Sequence, residues 1–426
     1  MNNIVFIVGE YYPNFSAVGI CCYNIAEEIA KYNKVTVICM KSYNSQIENE
    51  EYNGQIIIRV SHKWWDIRLK LNEKIKTTNG LFNKWYRLLL NGVRVKEYLQ
   101  VIFSRVSIKR DLVNSYINAL QTIKDPIDAV IPLCFPMEAV VAGMEYKRKD
   151  NRIKLIPYLF DPFVESHTLH RTSLNRKIKK KANINIEKNM FELSTKIFCM
   201  NQLYTHFEQL NFKKELLLFT EHPLIKRKLN MKCDKSDIDQ EKIIITYTGV
   251  FDYYIRNPEY FLKLMTKKLI NYNAELHLYT CGNCGSLIDK YVKEAKGKII
   301  NHGYVAKEKA DEAITKSSIL ICVGNIDNSQ VPSKIFEYMS VGKPIVLFYS
   351  NDNDANIKVL KDYSLCLFLK QDESLSEKNS KEFVEFCNLN KNMSLNFTEV
   401  EELYYYASPN FITKQIMNEI DSEEHK

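Results

Sequence analysis

The chain has 426 residues, of which 46% are hydrophobic and 26% charged, a composition typical of soluble globular proteins. Two domains of about 200 residues are expected for this length. No run of about 18 uncharged apolar residues occurs, which argues against a membrane-spanning helix. The start MNNIVFIVGEYYP lacks the basic segment of a signal peptide, so we expect a cytoplasmic protein.

The N-terminal segment predicts a strand–helix–strand unit of a parallel sheet. Buried-strand patterns at Ile4–Val8 and Val35–Met40 flank a helix predicted at Ile20–Tyr32. The loop that precedes this helix ends at Gly19. Gly19 either lets the loop turn tightly or lets a ligand approach the backbone, and the residues alone leave both interpretations open.

Residues 62–125 form a basic, tryptophan-bearing insertion. All three tryptophans lie here, and positions 63–110 hold twelve Lys and Arg residues against three Asp and Glu residues. Long apolar residues recur at helical intervals in WYRLLLNGVRVKEYLQVIF. Such helices either meet anionic lipid or pack on the sheet with a solvated basic face. Because no nucleic-acid-binding module accompanies the charge, we do not expect nucleic acid as a partner.

Two further buried strands are predicted at Ala129–Leu133 and Lys154–Phe160, with a helix at Glu138–Tyr146 between them. The second strand ends in Asp161-Pro162. An acid at the carboxyl end of a buried strand is well placed for chemistry, although Asp before Pro is also an ordinary turn. Asp161 is therefore a candidate catalytic residue.

The second half opens with a pattern that suits phosphate. A strand at Lys242–Thr248 is followed by Gly249 and then by Arg256 in the next loop. Gly249 would let the backbone approach a phosphate, and Arg256 would offer a bidentate fork to its oxygens.

Further along, Cys281-Gly-Asn-Cys284 has the spacing of a metal or redox motif. Because no second pair of metal ligands accompanies it, we interpret it as a strand-to-helix turn.

The stretch Ser317–Phe348 organises the rest of this half. A strand at Ile319–Val323 and a polar loop precede a helix predicted at Pro332–Val341. The start of that helix, at Pro332 and Ser333, suits an anion. Lys334 and Glu337 are spaced i, i+3, which from spacing alone also fits an ordinary surface ion pair.

At these residues the sequence resembles a known family. VPSKIFEYMSVGKPIV is similar to the donor-site signature of the retaining nucleotide-sugar glycosyltransferases of family 4, group 1. The resemblance implies an α/β fold of the GT-B type, with two Rossmann-like domains facing a central cleft. It also implies retention of anomeric configuration without a metal ion, the leaving diphosphate itself helping to deprotonate the acceptor. No acidic pair lies in a sequence setting suited to a metal. The pair that comes closest is Asp352-Asn-Asp354, in a polar loop after the signature.

The resemblance assigns roles residue by residue. It implies that Glu337 holds the donor ribose and that Arg256 neutralises the leaving diphosphate. The family's second cation falls at position 261, where this chain has Phe261, and Lys334 would substitute for it. Tyr304 and Val305, in a GYV turn, would border the base. Gly19 would lie against the donor phosphates and the acceptor, and Asp161 near the sugar. The family's first glutamate falls at position 329, where this chain has Ser329.

The resemblance also sets the predicted domains and partners. Residues 1–215 would bind the acceptor, 216–396 the nucleotide sugar, 397–420 would form a helix returning to the first domain, and 421–426 a polar tail. No cofactor is expected beyond the substrate, a nucleotide-diphosphate sugar with UDP as the favoured nucleotide. The acceptor would be a glycan, polyprenyl-linked, in bacterial capsule, O-antigen or exopolysaccharide synthesis at the inner face of the plasma membrane. The alternatives are a non-catalytic partner subunit, favoured by Ser329, and a sugar-nucleotide epimerase with Asp161 as its base.

Overall fold

The computed structural model describes residues 1–170, 172–210, 212–227, 242–269, 272–326 and 330–422. Position 329, where the family's first glutamate was expected, lies outside the described residues. Contacts divide the chain into unit 1, formed by Met1–Pro223 with Pro409–Lys426, and unit 2, formed by Leu224–Ser408. The boundary between Pro223 and Leu224 falls beyond the position expected from the sequence, at residues 215 and 216.

Unit 1 is built on a mainly parallel sheet in which the apolar runs of the sequence form the central strands. Its strands are β1 (Asn3–Ile7), β2 (Lys34–Met40), β3 (Asn49–Tyr52), β4 (Gln55–Val60), β5 (Ala129–Cys134), β6 (Lys154–Leu155), β7 (Tyr158–Leu159), β8 (Ile197–Met200) and β9 (Leu217–Thr220). They run in the order β3-β4-β2-β1-β5-β7-β8-β9, with β6 paired to β5.

The helices of unit 1 cover this sheet and extend away from it. They are α1 (Ala17–Ala30), α2 (Lys63–Thr77), α3 (Gly80–Phe103), α4 (Arg110–Thr122), α5 (Met137–Lys149), α6 (His167–His170), α7 (Ser173–Leu193), α8 (Tyr204–Gln209) and α16 (Pro409–Asp421). The buried faces of α4 and α5 pack with β1, β5 and β8 in one apolar core. Of the residues in α3, only Leu90 and Glu97 are buried.

Unit 2 is a second α/β unit with its own core. Its strands are β10 (Ile243–Phe251), β11 (Ala274–Gly282), β12 (Ile299–Asn301), β13 (Ile319–Val323), β14 (Ile345–Tyr349) and β15 (Cys366–Lys370), and its helices are α9 (Glu259–Leu269), α10 (Gly285–Glu294), α11 (Lys307–Lys316), α12 (Lys334–Ser340), α13 (Ala355–Leu360), α14 (Ser376–Asn390) and α15 (Phe397–Leu403). All strand pairs are parallel, in the order β12-β11-β10-β13-β14-β15.

Several sequence-based element boundaries need correction. The single strand predicted at Lys154–Phe160 is divided into β6 and β7, because Pro157 between them has no N–H to give to a ladder. The helix predicted at 397–420 is divided into α15 and α16. Pro409, at the start of α16, cannot continue an earlier helix. The last of these helices reaches Asp421, the first residue of the predicted tail.

Candidate active site

The candidate site lies in unit 2, where the sheet changes its winding direction. From β10 the chain goes on to β11 and then β12 on one side, whereas β13, β14 and β15 follow on the other. The loops after the neighbouring strands β10 and β13 lead to opposite sides of the sheet, and in open α/β sheets this is the place of the ligand-binding crevice. Ligands of open parallel sheets bind outside the carboxyl ends of the strands at such a point.

Arg256 bridges the two loops that border this crevice. It lies in the loop after β10, and its Nε and Nη2 donate to Oδ1 of Asn325, at 3.1 and 2.8 Å. Asn325 follows β13 and is only 6% exposed. The backbone reinforces the bridge, because Ile326 N donates to the carbonyl oxygen of Ile255 at 2.8 Å. The guanidinium is thus held by the neutral oxygen of Asn325 and by the carbonyl oxygen of Val250, to which Nη1 donates at 3.5 Å, and its remaining N–H groups have scope to bind an anion.

Gly249 lies beside this guanidinium. Its φ of +149° is a backbone conformation that side chains rarely adopt, and an added Cβ would come within 3.7 Å of Nη1 of Arg256. The same Cβ would come within 3.1 Å of the hydroxyl of Tyr247, which donates to the carbonyl oxygen of Val250. The structure therefore brings together Gly249 and Arg256, the two residues of the predicted phosphate loop.

The CxxC segment supports the Arg256 loop. Strand β11 ends at Gly282 and α10 begins at Gly285, which confirms the strand-to-helix turn expected there. Asn283 within it donates to Oδ2 of Asp252 at 2.8 Å and accepts from Tyr253 N at 3.0 Å. Cys284 is buried, and burial, together with the nearby Asp252 carboxylate, raises the pKa of its thiol, which makes it a poor nucleophile.

Glu337 is the centre of a second cluster, on α12. Its carboxylate is almost fully buried and accepts from Lys334 Nζ at 2.8 Å and from Lys307 Nζ at 3.4 Å. From spacing alone, Lys334 and Glu337 also fitted an ordinary surface ion pair. In the structure the carboxylate is buried and pairs with two lysines, each of which is partly exposed. Burial opposes the charged form of Lys307, but the Glu337 and Asp311 carboxylates outweigh it and raise the pKa of Lys307. The ammonium of Lys307 is therefore charged at neutral pH.

The two clusters flank the same strand end. Tyr338, next to Glu337, is buried, and its hydroxyl accepts from Thr248 N at 2.9 Å, just before Gly249. Helix α12 begins at Lys334 rather than at Pro332, which corrects the predicted start. Since Ser333 makes no side-chain cap and the helix has seven residues, the cations of this region contribute more positive charge than the helix terminus does.

The other predicted residues lie elsewhere. Tyr304 is 83% exposed and Val305 half-buried, in the turn between β12 and α11. Gly19 and Asp161 belong to unit 1. Gly19 lies inside α1, not at the end of a loop as expected, and an added Cβ would be 2.1 Å from the carbonyl oxygen of Glu10. Asp161 is half-buried after β7, and burial raises the pKa of its carboxyl group.

Two residues of the site were not identified from the sequence. Lys307 lies thirty positions before Glu337, and nothing in its local pattern indicates the contact. Asn325 carried a usable signal, because it is a polar residue shortly after a buried strand end.

Asp354 of the Asp352-Asn-Asp354 segment caps α13, and Asp352 pairs with Lys370. Across the described residues, no group of three or more His, Cys, Asp or Glu side chains is arranged to hold a metal ion.

Comparison with solved structures identifies the fold. Sucrose-phosphate synthase from Thermosynechococcus elongatus superposes with a TM-score of 0.63 at 11% identity, covering 98% of each chain. HepE of Anabaena, solved in complex with UDP and glucose, gives 0.62 at 12% identity and covers 99% of this chain and 100% of its own. The chain has the GT-B fold. This confirms the predicted fold class of two Rossmann-like α/β domains.

The GT-B fold alone does not distinguish transferases from epimerases. A Listeria monocytogenes protein assigned as a UDP-N-acetylglucosamine 2-epimerase also superposes, with a TM-score of 0.56 at 10% identity over 99% of this chain and 96% of its own. The sequence comparison is more specific, because residues 242–367 match the family model of the glycosyl transferases group 1. That segment contains Gly249, Arg256, Lys307, Lys334 and Glu337. No curated protein sequence matches this chain.

Proposed function

We propose that this GT-B protein is a glycosyltransferase that moves a hexosyl group from a nucleotide-diphosphate sugar to a hydroxyl of a glycan. The observation that carries the proposal is the position of Arg256. It lies beside Gly249, is oriented by Asn325, and is within the segment that matches the group 1 family model. The UDP and glucose bound to the HepE relative support UDP as the nucleotide.

The proposed chemistry is stabilisation of a departing diphosphate. Arg256 would accept part of its charge, and Lys334 would supply a second cation next to the ribose-binding carboxylate of Glu337. Fixed charges of this kind act in the transition state without a metal ion. By resemblance to the retaining family, the sugar would keep its anomeric configuration, and the leaving diphosphate would help to take the proton from the acceptor. Gly19 and Asp161 would serve the acceptor side.

The test is a thermal-shift panel of UDP, GDP, dTDP, CMP and their sugar conjugates. A ligand that binds only the folded state raises its stability by about 2.7 kcal/mol at a hundred times its Kd. We expect UDP to raise the Tm, and Glu337→Gln to abolish the shift. Glu312→Gln is the matched control, because Glu312 is an exposed glutamate of α11 paired with Lys316 in the same unit.

The panel also separates the alternatives. No shift with any nucleotide would contradict the transferase proposal and favour the non-catalytic partner subunit. A shift with UDP followed by conversion of UDP-N-acetylglucosamine in the absence of an acceptor would identify an epimerase instead. Transfer of label from the UDP-sugar to an added glycan would support the proposal directly.

We further propose that the acceptor is a polyprenyl-linked glycan and that the enzyme works at the inner face of the plasma membrane, in capsule, O-antigen or exopolysaccharide synthesis. No helix in the described part of the chain has the length and apolarity to cross a bilayer. Peripheral attachment is supported by α3, where exposed apolar side chains are spaced three, four or seven residues apart and so share one face, at Leu81, Trp85, Leu88, Val95, Leu99 and Phe103. Lysines and arginines surround this row, which we call the α3 stripe.

A further inference from the structure

A groove in unit 1 runs between the end of α3 and the start of α7. Its volume is about 630 Å³. Its lining includes three apolar residues, Phe103, Leu174 and Ile178, which are 81%, 67% and 72% exposed and which we call the apolar wall. Three large apolar side chains at these exposures around one groove are costly in water. Phe103 is also the last residue of the α3 stripe, so the groove continues the surface proposed to meet lipid.

The groove is also lined by positive charge. Arg105, Lys179 and Lys181 line it, and we call them the cationic wall. Among the described residues, none of the three forms an ion pair. The other lining residues in the described part of the chain are apolar or neutral, and none is acidic.

Lys179 is the unusual member of the cationic wall. Its residue exposure is 2%, yet the acceptors of its ammonium among the described residues are neutral oxygens, the carbonyl of Val101 and the hydroxyl of Ser104, the latter at 3.0 Å. Burial lowers the pKa of this ammonium, with no carboxylate to raise it again. A buried charge without a counter-ion is unfavourable. An anion seated in the groove would remove that cost.

We infer that this groove binds a single-chain lipid phosphate, with the phosphate on the cationic wall and the first part of the chain along the apolar wall. The pairing of an unbalanced buried cation with exposed apolar side chains selects a ligand that is anionic at one end and apolar along the rest. The inference rests on the proposed function for the role of this lipid, which is the isoprenoid phosphate that carries the acceptor glycan.

The experiment measures equilibrium binding of labelled farnesyl phosphate to the full chain, below the concentration at which the lipid forms micelles. Farnesol and inorganic phosphate test the two halves of the ligand separately. We expect saturable binding of farnesyl phosphate and at least about tenfold weaker binding of each half. Farnesol binding as tightly as farnesyl phosphate would overturn the role of the cationic wall.

Variants then locate the site. Lys179→Met keeps the length of the side chain but removes its charge, and Ile178→Asp places an acid on the apolar wall; each should weaken binding at least about tenfold. Lys177→Met is the matched control, because Lys177 is exposed on the same helix and does not line the groove. Wild-type affinity in both groove variants would refute the inference. Ile178 is exposed, so its replacement tests the site even if Lys179→Met fails to fold.

A competition separates the two sources of lipid phosphate. If vesicles of phosphatidylglycerol displace farnesyl phosphate as effectively as unlabelled farnesyl phosphate does, the occupant is a bilayer phospholipid and the assignment to the acceptor carrier is wrong. The UDP thermal shift, measured on the same variants, reports on unit 2 independently. Lipid binding without any UDP shift would contradict the proposed transferase function and still support the lipid-binding groove. A UDP shift without lipid binding would contradict the groove proposal alone.

Discussion

Arg256 reaches across two loops to the amide oxygen of Asn325, and this geometry predicts the effect of replacing it. Arg256→Ala should lower transfer by about 10²–10³-fold, because a fixed charge on the leaving group is lost. Arg256→Lys should recover part of the rate, since it restores charge without the planar fork. Initial rates with a UDP-sugar measure both. Lys293→Ala, at an exposed lysine of α10, is the control, and an unchanged rate in Arg256→Ala would disprove the phosphate role.

Gly19 is required by close packing, whatever its part in binding. Gly19→Ala should destabilise unit 1 by about 1–3 kcal/mol, because its Cβ would collide with the Glu10 carbonyl. Gly92→Ala is a matched control, since Gly92 is also helical but an added Cβ would meet nothing within 4 Å; it should stabilise by up to about 1 kcal/mol. Urea unfolding followed by tryptophan fluorescence reports on unit 1, where all three tryptophans lie. Equal stability of the two variants would contradict this account.

The carboxyl group of Asp161 should make stability depend on pH. Burial raises its pKa in the folded protein above the ordinary value of 3.8, which applies to the unfolded chain. Between the unfolded and the folded pKa, the folded protein therefore holds a proton that the unfolded chain has released. Stability then falls as pH rises through that range and stays lower above it. Asp161→Asn should therefore be more stable than the wild type at pH 7, by a margin that shrinks below about pH 4.

Asp150 provides the control of opposite sign. A hydrogen-bonded Arg152 lowers the pKa of Asp150 to about 2, so its ionised form favours the folded state above the ordinary pKa, and that contribution disappears as pH falls towards 2. Asp150→Asn should be slightly less stable at pH 7. Thermal unfolding from pH 2 to pH 8 measures both variants, and identical pH profiles would refute the argument.

At the scale of single residues, only some contacts of the candidate site could be predicted from the sequence. Residues within one motif, such as Lys334 and Glu337, could be paired by spacing. Lys307 could not, because its contact depends on how α11 packs beside α12. The partner of Arg256 required knowing that β10 and β13, which are far apart in sequence, are neighbours in the sheet.

Helix α3 carries large apolar side chains that are exposed and do not pack in the core of unit 1. An ideal helix of 24 residues spans about 36 Å, and the α3 stripe runs along it. Leu88→Asp, at a residue 68% exposed, should weaken binding to anionic vesicles without lowering stability, because no packing is lost. Flotation with phosphatidylglycerol vesicles at low salt measures this. Leu389→Asp, at a leucine of α14 that is 71% exposed, is the matched control.

Two outcomes would contradict the α3 proposal. Absence of wild-type binding to anionic vesicles at low salt would exclude the lipid surface altogether. Concentration-dependent dimerisation abolished by Leu88→Asp would instead assign the α3 stripe to a second copy of the chain.

Element prediction succeeded where strands are buried on both faces. Runs such as Ile319–Val323 are continuously apolar and were identified to the residue. Strands β3, β4 and β9 were not predicted. Strand β3 reads NEEY with alternate exposed positions, and β9 begins next to the predicted domain boundary at residues 215 and 216. Strand β4 lies inside the sheet, but Ile56 and Ile58 on one of its faces are not fully buried, so it is not buried on both faces.

On the scale of the whole molecule, α16 returns to unit 1 and completes its core. Its buried isoleucines, Ile412, Ile416 and Ile420, form one helical stripe. Ile416→Ala should destabilise unit 1 by about 2–5 kcal/mol and leave the UDP shift of unit 2 unchanged. Asn418→Ala, at an exposed position of the same helix, is the control. Tryptophan fluorescence and the UDP titration together decide this, and loss of both signals in Ile416→Ala would mean that the units do not fold separately.

Unit 1 is formed by two separate segments of the chain, and this determines the order in which its parts are synthesised on the ribosome. All strands of its sheet have been synthesised once Pro223 has emerged, but α16 follows only after the whole of unit 2. Domains generally fold as units during synthesis. The nascent chain must therefore hold the uncovered face of α1 in a form that does not aggregate while the 185 residues of Leu224–Ser408 are translated. Chaperones that shield apolar surface should associate with ribosomes during that interval and leave once α16 is released.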